Sequence, residues 1–196
     1  TNYFRGYIYG SIIKIKKDFW IPVRLSVIIV SFNVKSYLRQ CLNSVLASTQ
    51  IDEFEVIVVD NYSYDDSCAL LKYEFPQIKL IANQINIGFS SAVNQGINIA
   101  KGEYICFLNP DTLIQKNTFN KLISHLTTNL LVGCIGPKIL NPNGSLQKAC
   151  KRSFPTLLTA LPKALGLDAL FPKSKWFGKY NLTYLDENKP HFVDAI

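Results

Sequence analysis

Glu103-Tyr104-Ile105-Cys106-Phe107-Leu108-Asn109-Pro110-Asp111 is the stretch whose reading decides the fold. Tyr104 to Leu108 form a short, unbroken apolar run, as expected of a strand covered on both faces in a parallel sheet. Pro110 cannot donate to a ladder and pushes Asn109 towards an extended conformation, so the strand ends there. A carboxylate, Asp111, is thereby delivered to the carboxyl end of a buried strand, the edge at which open α/β sheets bind ligands. Asn-Pro-Asp-Thr equally fits a turn that does no more than cap the next helix.

At 196 residues, 48% hydrophobic and 12% aromatic, the chain reads as a globular domain, long enough to bury about 70% of its unfolded surface. Its net charge of +7 is uneven. Residues 1–24 carry +4, 25–147 carry −1, 148–179 carry +6 and 180–196 carry −2. The five cysteines (Cys41, Cys68, Cys106, Cys134, Cys150) are scattered with no Cys-x-x-Cys, and four lie in apolar company and read as small core residues. No secretory signal is recognisable, which points to a reduced, cytoplasmic setting. Two distant histidines, His125 and His191, argue against zinc. The basic segments contain no nucleic-acid reading motif, so no nucleic-acid partner is expected.

Outward from the central strand the pattern alternates. Residues 1–24 are basic and aromatic without clean periodicity and receive no role beyond a peripheral segment. Strands are expected at Leu25–Val30, Phe54–Val59, Ile78–Ala82 and Val132–Leu140. Helices are expected at 36–48, from the Asp65/Asp66 cap to about Phe75, from a Ser90 or Ser91 cap to Lys101, and around Phe119, Leu122, Ile123 and Leu126. Asn-Pro-Asn-Gly at 141–144 signals a turn. Such alternation implies right-handed βαβ units: an α/β fold with a mainly parallel central sheet and flanking helices. The segments expected are 1–24, a ligand-binding half over 25–147, and a basic, apolar stretch over 148–196.

Neither a Gly-x-Gly-x-x-Gly turn nor a P-loop follows the first strand, which excludes the common dinucleotide and triphosphate cradles. Polar residues gather instead at strand ends: Ser31 and Asn33, Asp60 and Asn61, Asn109 and Asp111. Asn86, Gly88 and Asn94 surround a helix start whose amides could face an anion. Two carboxylates and several amides on one edge suit a ribose or base with a metal-bound diphosphate, and their hard oxygens suit Mg²⁺ or Mn²⁺.

Val-Ile-Ile-Val-Ser-Phe-Asn (27–33), Val-Ile-Val-Val-Asp-Asn-Tyr-Ser-Tyr-Asp-Asp-Ser (56–67), Asn-Ile-Gly-Phe-Ser-Ser-Ala-Val-Asn-Gln-Gly-Ile (86–97) and Phe-Leu-Asn-Pro-Asp-Thr (107–112) stand in order. Together they resemble the inverting family-two glycosyltransferases of GT-A fold, nearest the rhamnosyltransferase-like branch that builds bacterial surface polysaccharides. The resemblance covers roughly residues 25–194. It implies that Ser31 and Asn33 line the nucleotide pocket and that Asp60 contacts base or ribose. It implies that Asn86, Gly88, Phe89 and Asn94 shape the pocket around ribose and diphosphate. Asn109-Pro110-Asp111 stands where the family has Asp-x-Asp, so Asp111 would hold Mg²⁺ or Mn²⁺, with one charged ligand fewer because of Asn109.

The implied reaction is a single displacement from a nucleotide-diphosphate-sugar donor to an acceptor hydroxyl on a glycan or lipid-linked glycan. The proton-accepting carboxylate belongs to a segment after the family's Val-Asp-Trp-like motif, which Val193-Asp194-Ala195 resembles without its tryptophan. That base is expected beyond Ile196, and the chain, beginning with Thr1, reads as a fragment. A donor-binding module without turnover is the alternative. Residues 148–179, apolar and basic at once, fit either an anionic membrane surface or a helix packed with its charges in water.

Overall fold

The computed structural model describes residues 11–14, 24–48 and 54–193. They fall into two compact units, 11–137 and 138–193. The first unit runs β1 (Ser11–Lys14), β2 (Leu25–Ser31), α1 (Lys35–Ser48), β3 (Phe54–Asp60), α2 (Ser67–Glu74), β4 (Lys79–Ala82), α3 (Phe89–Ile99), β5 (Tyr104–Leu108), α4 (Thr118–Thr128) and β6 (Cys134–Ile135). The sheet order is β4-β3-β2-β5-β1-β6, parallel from β4 to β5 and antiparallel where β1 meets β5 and β6. This is the expected α/β architecture with a mainly parallel sheet.

Alternate residues of the buried strands feed two cores, as the period of two demands. Val27, Ile29, Val56, Val58, Tyr104 and Cys106 pack with Leu38, Leu42 and Val45 of α1, Leu70 and Leu71 of α2, and Phe119 and Ile123 of α4. Ile28, Ile57, Val59 and Ile105 face the other way, onto Ala92 and Ala100. Gly96 lets α3 settle directly on β2, since a Cβ there would stand 2.6 Å from Ile28 Cγ2.

Four expectations need correction. Ser11–Lys14, part of the segment left without a role, is an internal strand between β5 and β6, and Ile12 is fully buried. The strand expected over Val132–Leu140 shrinks to Cys134–Ile135, because Gly133, Gly136 and Pro137 bracket the pairing with Ile12 and Ile13. Of the cysteines only Cys41 and Cys106 are buried; Cys134 is exposed. Helix starts also shift. Gly88, not Ser90 or Ser91, is the N-cap of α3, and Asp66 occupies the N-cap of α2 without a side-chain capping bond.

At the amino end of the sheet one carboxylate ties four elements together. Glu55 accepts from Ser26 Oγ (2.6 Å), Lys79 Nζ (2.5 Å) and the Lys101 amide (2.6 Å), while Gly102 N donates to Ser26 Oγ at 2.8 Å. Burial opposes ionisation of Glu55, but these donors outweigh it and hold its pKa below the usual carboxylate range. Glu55→Gln is therefore expected to cost about 1–3 kcal/mol at neutral pH. A lowered folded-state pKa contributes stability above the unfolded carboxylate range and loses it as pH falls through the folded value. Urea titrations of both proteins should show the gap closing on acidification; a gap that widens would contradict the assignment.

The second unit carries a short 3₁₀ turn (Lys148–Cys150), α5 (Leu157–Ala164) and α6 (Leu167–Leu170). The turn expected at 141–144 forms, with Gly144 at φ 79° and its amide donating to Asn141 O. Thr156 caps α5 reciprocally with Thr159. Asp194 and Ala195, in the Val-Asp-Trp-like motif, lie outside the described residues.

Candidate functional site

The carboxyl ends of β2, β3 and β5 meet on one edge of the first unit. Ser31 and Asp60 are register partners, and β5 ends at Leu108 opposite Ile29. Asn109, Pro110 and Asp111 thus leave the sheet at the same edge. The loops are sewn together by main-chain bonds: Asn61 N to Ser31 O (2.7 Å) and Asn83 N to Asp60 O (2.9 Å).

Buried polar atoms are normally satisfied, and an orphan costs about 1–3 kcal/mol. Ser31 Oγ and Asp60 Oδ1, side by side on adjacent strands, have no hydrogen-bond partner. The other Asp60 oxygen accepts the Ser63 amide at 2.8 Å, which fixes the carboxylate. Cys68 lies close by; burial first, then the Asp60 charge, push its thiol up to about 11.

Asp111 is the third orphan. Its Oδ1 is buried without a partner, and desolvation raises its pKa above the ordinary carboxylate value, against the opposing pull of its own amide. Asn109 to Thr112 do form a turn, closed by Thr112 N to Asn109 O. It does not cap the next helix, however, because Asn117 is the N-cap of α4. The turn is pinned to α1 instead: Cys41 Sγ donates to Asn109 O, Ser44 Oγ accepts the Ile114 amide, and Ser48 O accepts that of Asn117. Burial, together with the nearby Asp111 charge, pushes the Cys41 thiol up to about 12, so it serves as packing.

The asparagines divide. Asn33, at φ 54°, donates its amide to Ser63 Oγ and accepts from Tyr64 N with Oδ1, clasping the loops after β2 and β3. Asn86 Oδ1 accepts from Asn61 Nδ2 (2.8 Å) and from the Gly88 amide (3.0 Å). Both oxygens are engaged within the protein, so these residues shape the edge by holding loops. Gly88, at φ 81°, opens α3 in a conformation a side chain would strain, and leaves the first amides of that helix beside exposed Phe89. Asn94 lies exposed further along α3.

The sequence places Asn61 at this edge but assigns it no role, and it gives no role to Phe32 or Tyr64. Asn61 is buried and also accepts from Ile87 N and Asn83 Nδ2. Phe32 and Tyr64 are exposed and meet edge to face with centroids 6.4 Å apart. An aromatic between Ser31 and Asn33, just past a buried strand, was the available signal.

Among the described residues no cluster of three or more His, Cys, Asp or Glu side chains forms a closed metal cage. A single unpartnered carboxylate oxygen at Asp111 nonetheless fits a Mg²⁺-like ion that keeps waters and takes its other ligands from substrate phosphates.

Comparison with known proteins matches residues 26–175 to the family described as Glycosyl transferase family 2. The chain belongs to glycosyl transferase family 2. It is 31% identical over 130 residues to the SPbeta prophage-derived glycosyltransferase SunS of Bacillus subtilis, covering 64% of this chain and 30% of that protein. It is 34% identical over 103 residues to the minor teichoic acid biosynthesis protein GgaB of the same species, covering 50% of this chain and 11% of that one. Among solved structures, S. aureus TarS 1-349 in complex with UDP-GlcNAc superimposes with a TM-score of 0.50 at 28% identity, over 54% of this chain and 32% of TarS 1-349. The chain therefore spans less than a third of the length of each of these curated relatives. The fold shared with TarS is the GT-A arrangement expected from the strand-end motifs.

Proposed function

We propose that this chain provides the donor-binding half of an inverting glycosyltransferase, which moves a sugar from a nucleoside diphosphate to an acceptor hydroxyl during bacterial surface-polysaccharide synthesis. The observation that carries this reading is the set of three buried orphan oxygens, Ser31 Oγ, Asp60 Oδ1 and Asp111 Oδ1, at the carboxyl edge of a parallel sheet. Ser31 and Asp60 offer an acceptor pair to base or ribose donors. The exposed faces of Phe32 and Tyr64 offer a stacking surface for the base. The amides at the start of α3 offer positive charge to the diphosphate. Asn109 and Asp111 would hold Mg²⁺ or Mn²⁺, which supplies neutralising charge on the leaving diphosphate when bound. The proposed site comprises Ser31, Asn33, Asp60, Asn86, Gly88, Phe89, Asn94, Asn109 and Asp111, with Asn33 and Asn86 acting as loop holders.

TarS bound to UDP-GlcNAc makes a uridine donor the first to test, and the teichoic-acid role in GgaB's name supports an envelope glycan, free or lipid-linked, as acceptor. A cytoplasmic setting belongs to the same proposal and agrees with five free thiols.

Calorimetric titration of UDP, GDP and UDP-sugars with Mn²⁺ or with chelator tests the reading. Metal-dependent saturation by one nucleotide is expected, and Phe32→Ala should weaken it by about 1–3 kcal/mol if the base stacks there. Absence of binding by every nucleotide in the presence of Mn²⁺ would overturn the proposal.

A further inference from the structure

Helix α5 is inside out. Leu157, Leu158 and Leu161, followed by Leu165, share one helical face and are 60–88% exposed. The opposite face is the one that is held: Thr159 is buried in the capping box, and Lys163 pairs with Asp168 and lies 5.0 Å over the Tyr180 ring. Leu170 and Phe171, at the end of α6, add to the exposed apolar surface. A contiguous outward leucine face is what water disfavours most, and such patches mark places where something docks.

Immediately after α6 comes Phe171-Pro172-Lys173-Ser174-Lys175-Trp176-Phe177-Gly178-Lys179. Lys173, Lys175, Trp176 and Lys179 are all exposed. The loop is built, not loose. Ser174 Oγ accepts the amides of Trp176 and Phe177, Thr183 Oγ1 donates to Pro172 O, and Phe171 tilts onto Phe177 with centroids 5.6 Å apart. It presents an indole and three ammonium groups together.

We propose that the leucine face of α5 and α6, with the 171–179 loop, is a docking surface for an anionic lipid bilayer. Charge decides between occupants. A protein cover, whether a second copy or another segment, would hide the leucines but would also bury lysines that have no acidic partner within 171–179. A bilayer interface takes both: leucines and indole enter the acyl boundary, while the lysine heads remain at the phosphates. Among the described residues no helix is long and apolar enough to cross a membrane, so the surface lies on the bilayer and does not span it. This inference stands on residues 148–193 alone and does not depend on the donor-site reading.

The test is sedimentation with vesicles of phosphatidylcholine alone or mixed with phosphatidylglycerol, at low and high salt. Trp176 fluorescence is followed in a Trp20→Phe background against bromine-labelled lipid. Expected are association with anionic vesicles only, its loss at high salt, and quenching of Trp176. Leu158→Ser with Leu161→Ser, and separately Lys173→Ser with Lys175→Ser, should each lower partitioning by at least about tenfold with an unchanged far-ultraviolet spectrum. These side chains are exposed, so the variants are expected to fold. Equal binding to neutral and anionic vesicles, no binding to either, or sedimentation without quenching would each overturn the proposal. Concentration-dependent dimers abolished by the leucine changes, without vesicle binding, would assign the face to a second copy and overturn it too.

Discussion

Asp111→Asn is expected to lower the affinity for a nucleoside diphosphate in Mn²⁺ by at least about tenfold, roughly 1.4 kcal/mol, and to leave the affinity in chelator unchanged. The replacement keeps the shape of the side chain. It also keeps the turn closed by Thr112 N to Asn109 O and the bonds from the 109–117 loop to α1, so the loop should remain in place. What is lost is the negative charge on a half-buried carboxylate whose Oδ1 has no partner and whose ionisation is opposed by desolvation. Removing such a charge should not destabilise the free protein, and a small rise in thermal midpoint is expected. Binding and stability then move in opposite directions, which separates a ligand-holding role from a structural one. Calorimetry with and without metal, alongside thermal melts, makes the measurement. Equal affinity of the two proteins in Mn²⁺ would remove Asp111 from the metal site; a lowered melting point would point to a structural role.

How much of this was legible in the chain depends on whether local pattern or tertiary contact decided the outcome. β5 was fully readable, because five apolar residues stopped by Asn-Pro leave few alternatives, and its end fixed where Asp111 had to be. β1 was not. Ser-Ile-Ile-Lys sits among basic and aromatic residues without alternation, and its strand state comes from pairing with β5 across about ninety residues of sequence. The opposite error at Val132–Leu140 has the same origin: an apolar run promised a strand, but among the described residues its ladder partners are Ile12 and Ile13, with Leu140 making a separate isolated bridge to Leu146. At the site, residue types announced the two acids and the opening of α3. Which asparagine oxygens were already spent was invisible, since Asn33 bonds to Tyr64 and Asn86 to Asn61 across loops that no local rule connects. The outward turn of α5 was equally hidden. Its leucines have core spacing, and only the capping box and the Lys163 contacts reveal which face is held.

Asn61→Ala is expected to cost about 1–3 kcal/mol of stability and, beyond that, to weaken nucleotide binding by about tenfold. Asn61 is buried, and its amide group serves three partners. Nδ2 donates to Asn86 Oδ1, while Oδ1 accepts from the Ile87 amide and from Asn83 Nδ2. Asn86 in turn receives the Gly88 amide, so the start of α3 is held to the end of β3 through this one side chain. Alanine deletes all three bonds and loosens residues 86–88, while the main-chain bonds from Asn61 N to Ser31 O and from Asn83 N to Asp60 O and the Asn83–Gln95 side-chain pair remain. Asn61→Asp separates the two consequences. A carboxylate still accepts from Ile87 and Asn83 but cannot donate to Asn86. For Asn86 to bond to it, the amide must turn its NH₂ inward and give up the Gly88 contact. Aspartate should therefore recover much of the stability but little of the affinity. Urea unfolding, nucleotide titration and amide exchange at Ile87 and Gly88 read the three effects separately. Exchange as slow as wild type at both amides in the alanine variant, with undiminished affinity, would show that Asn61 does not organise the opening of α3.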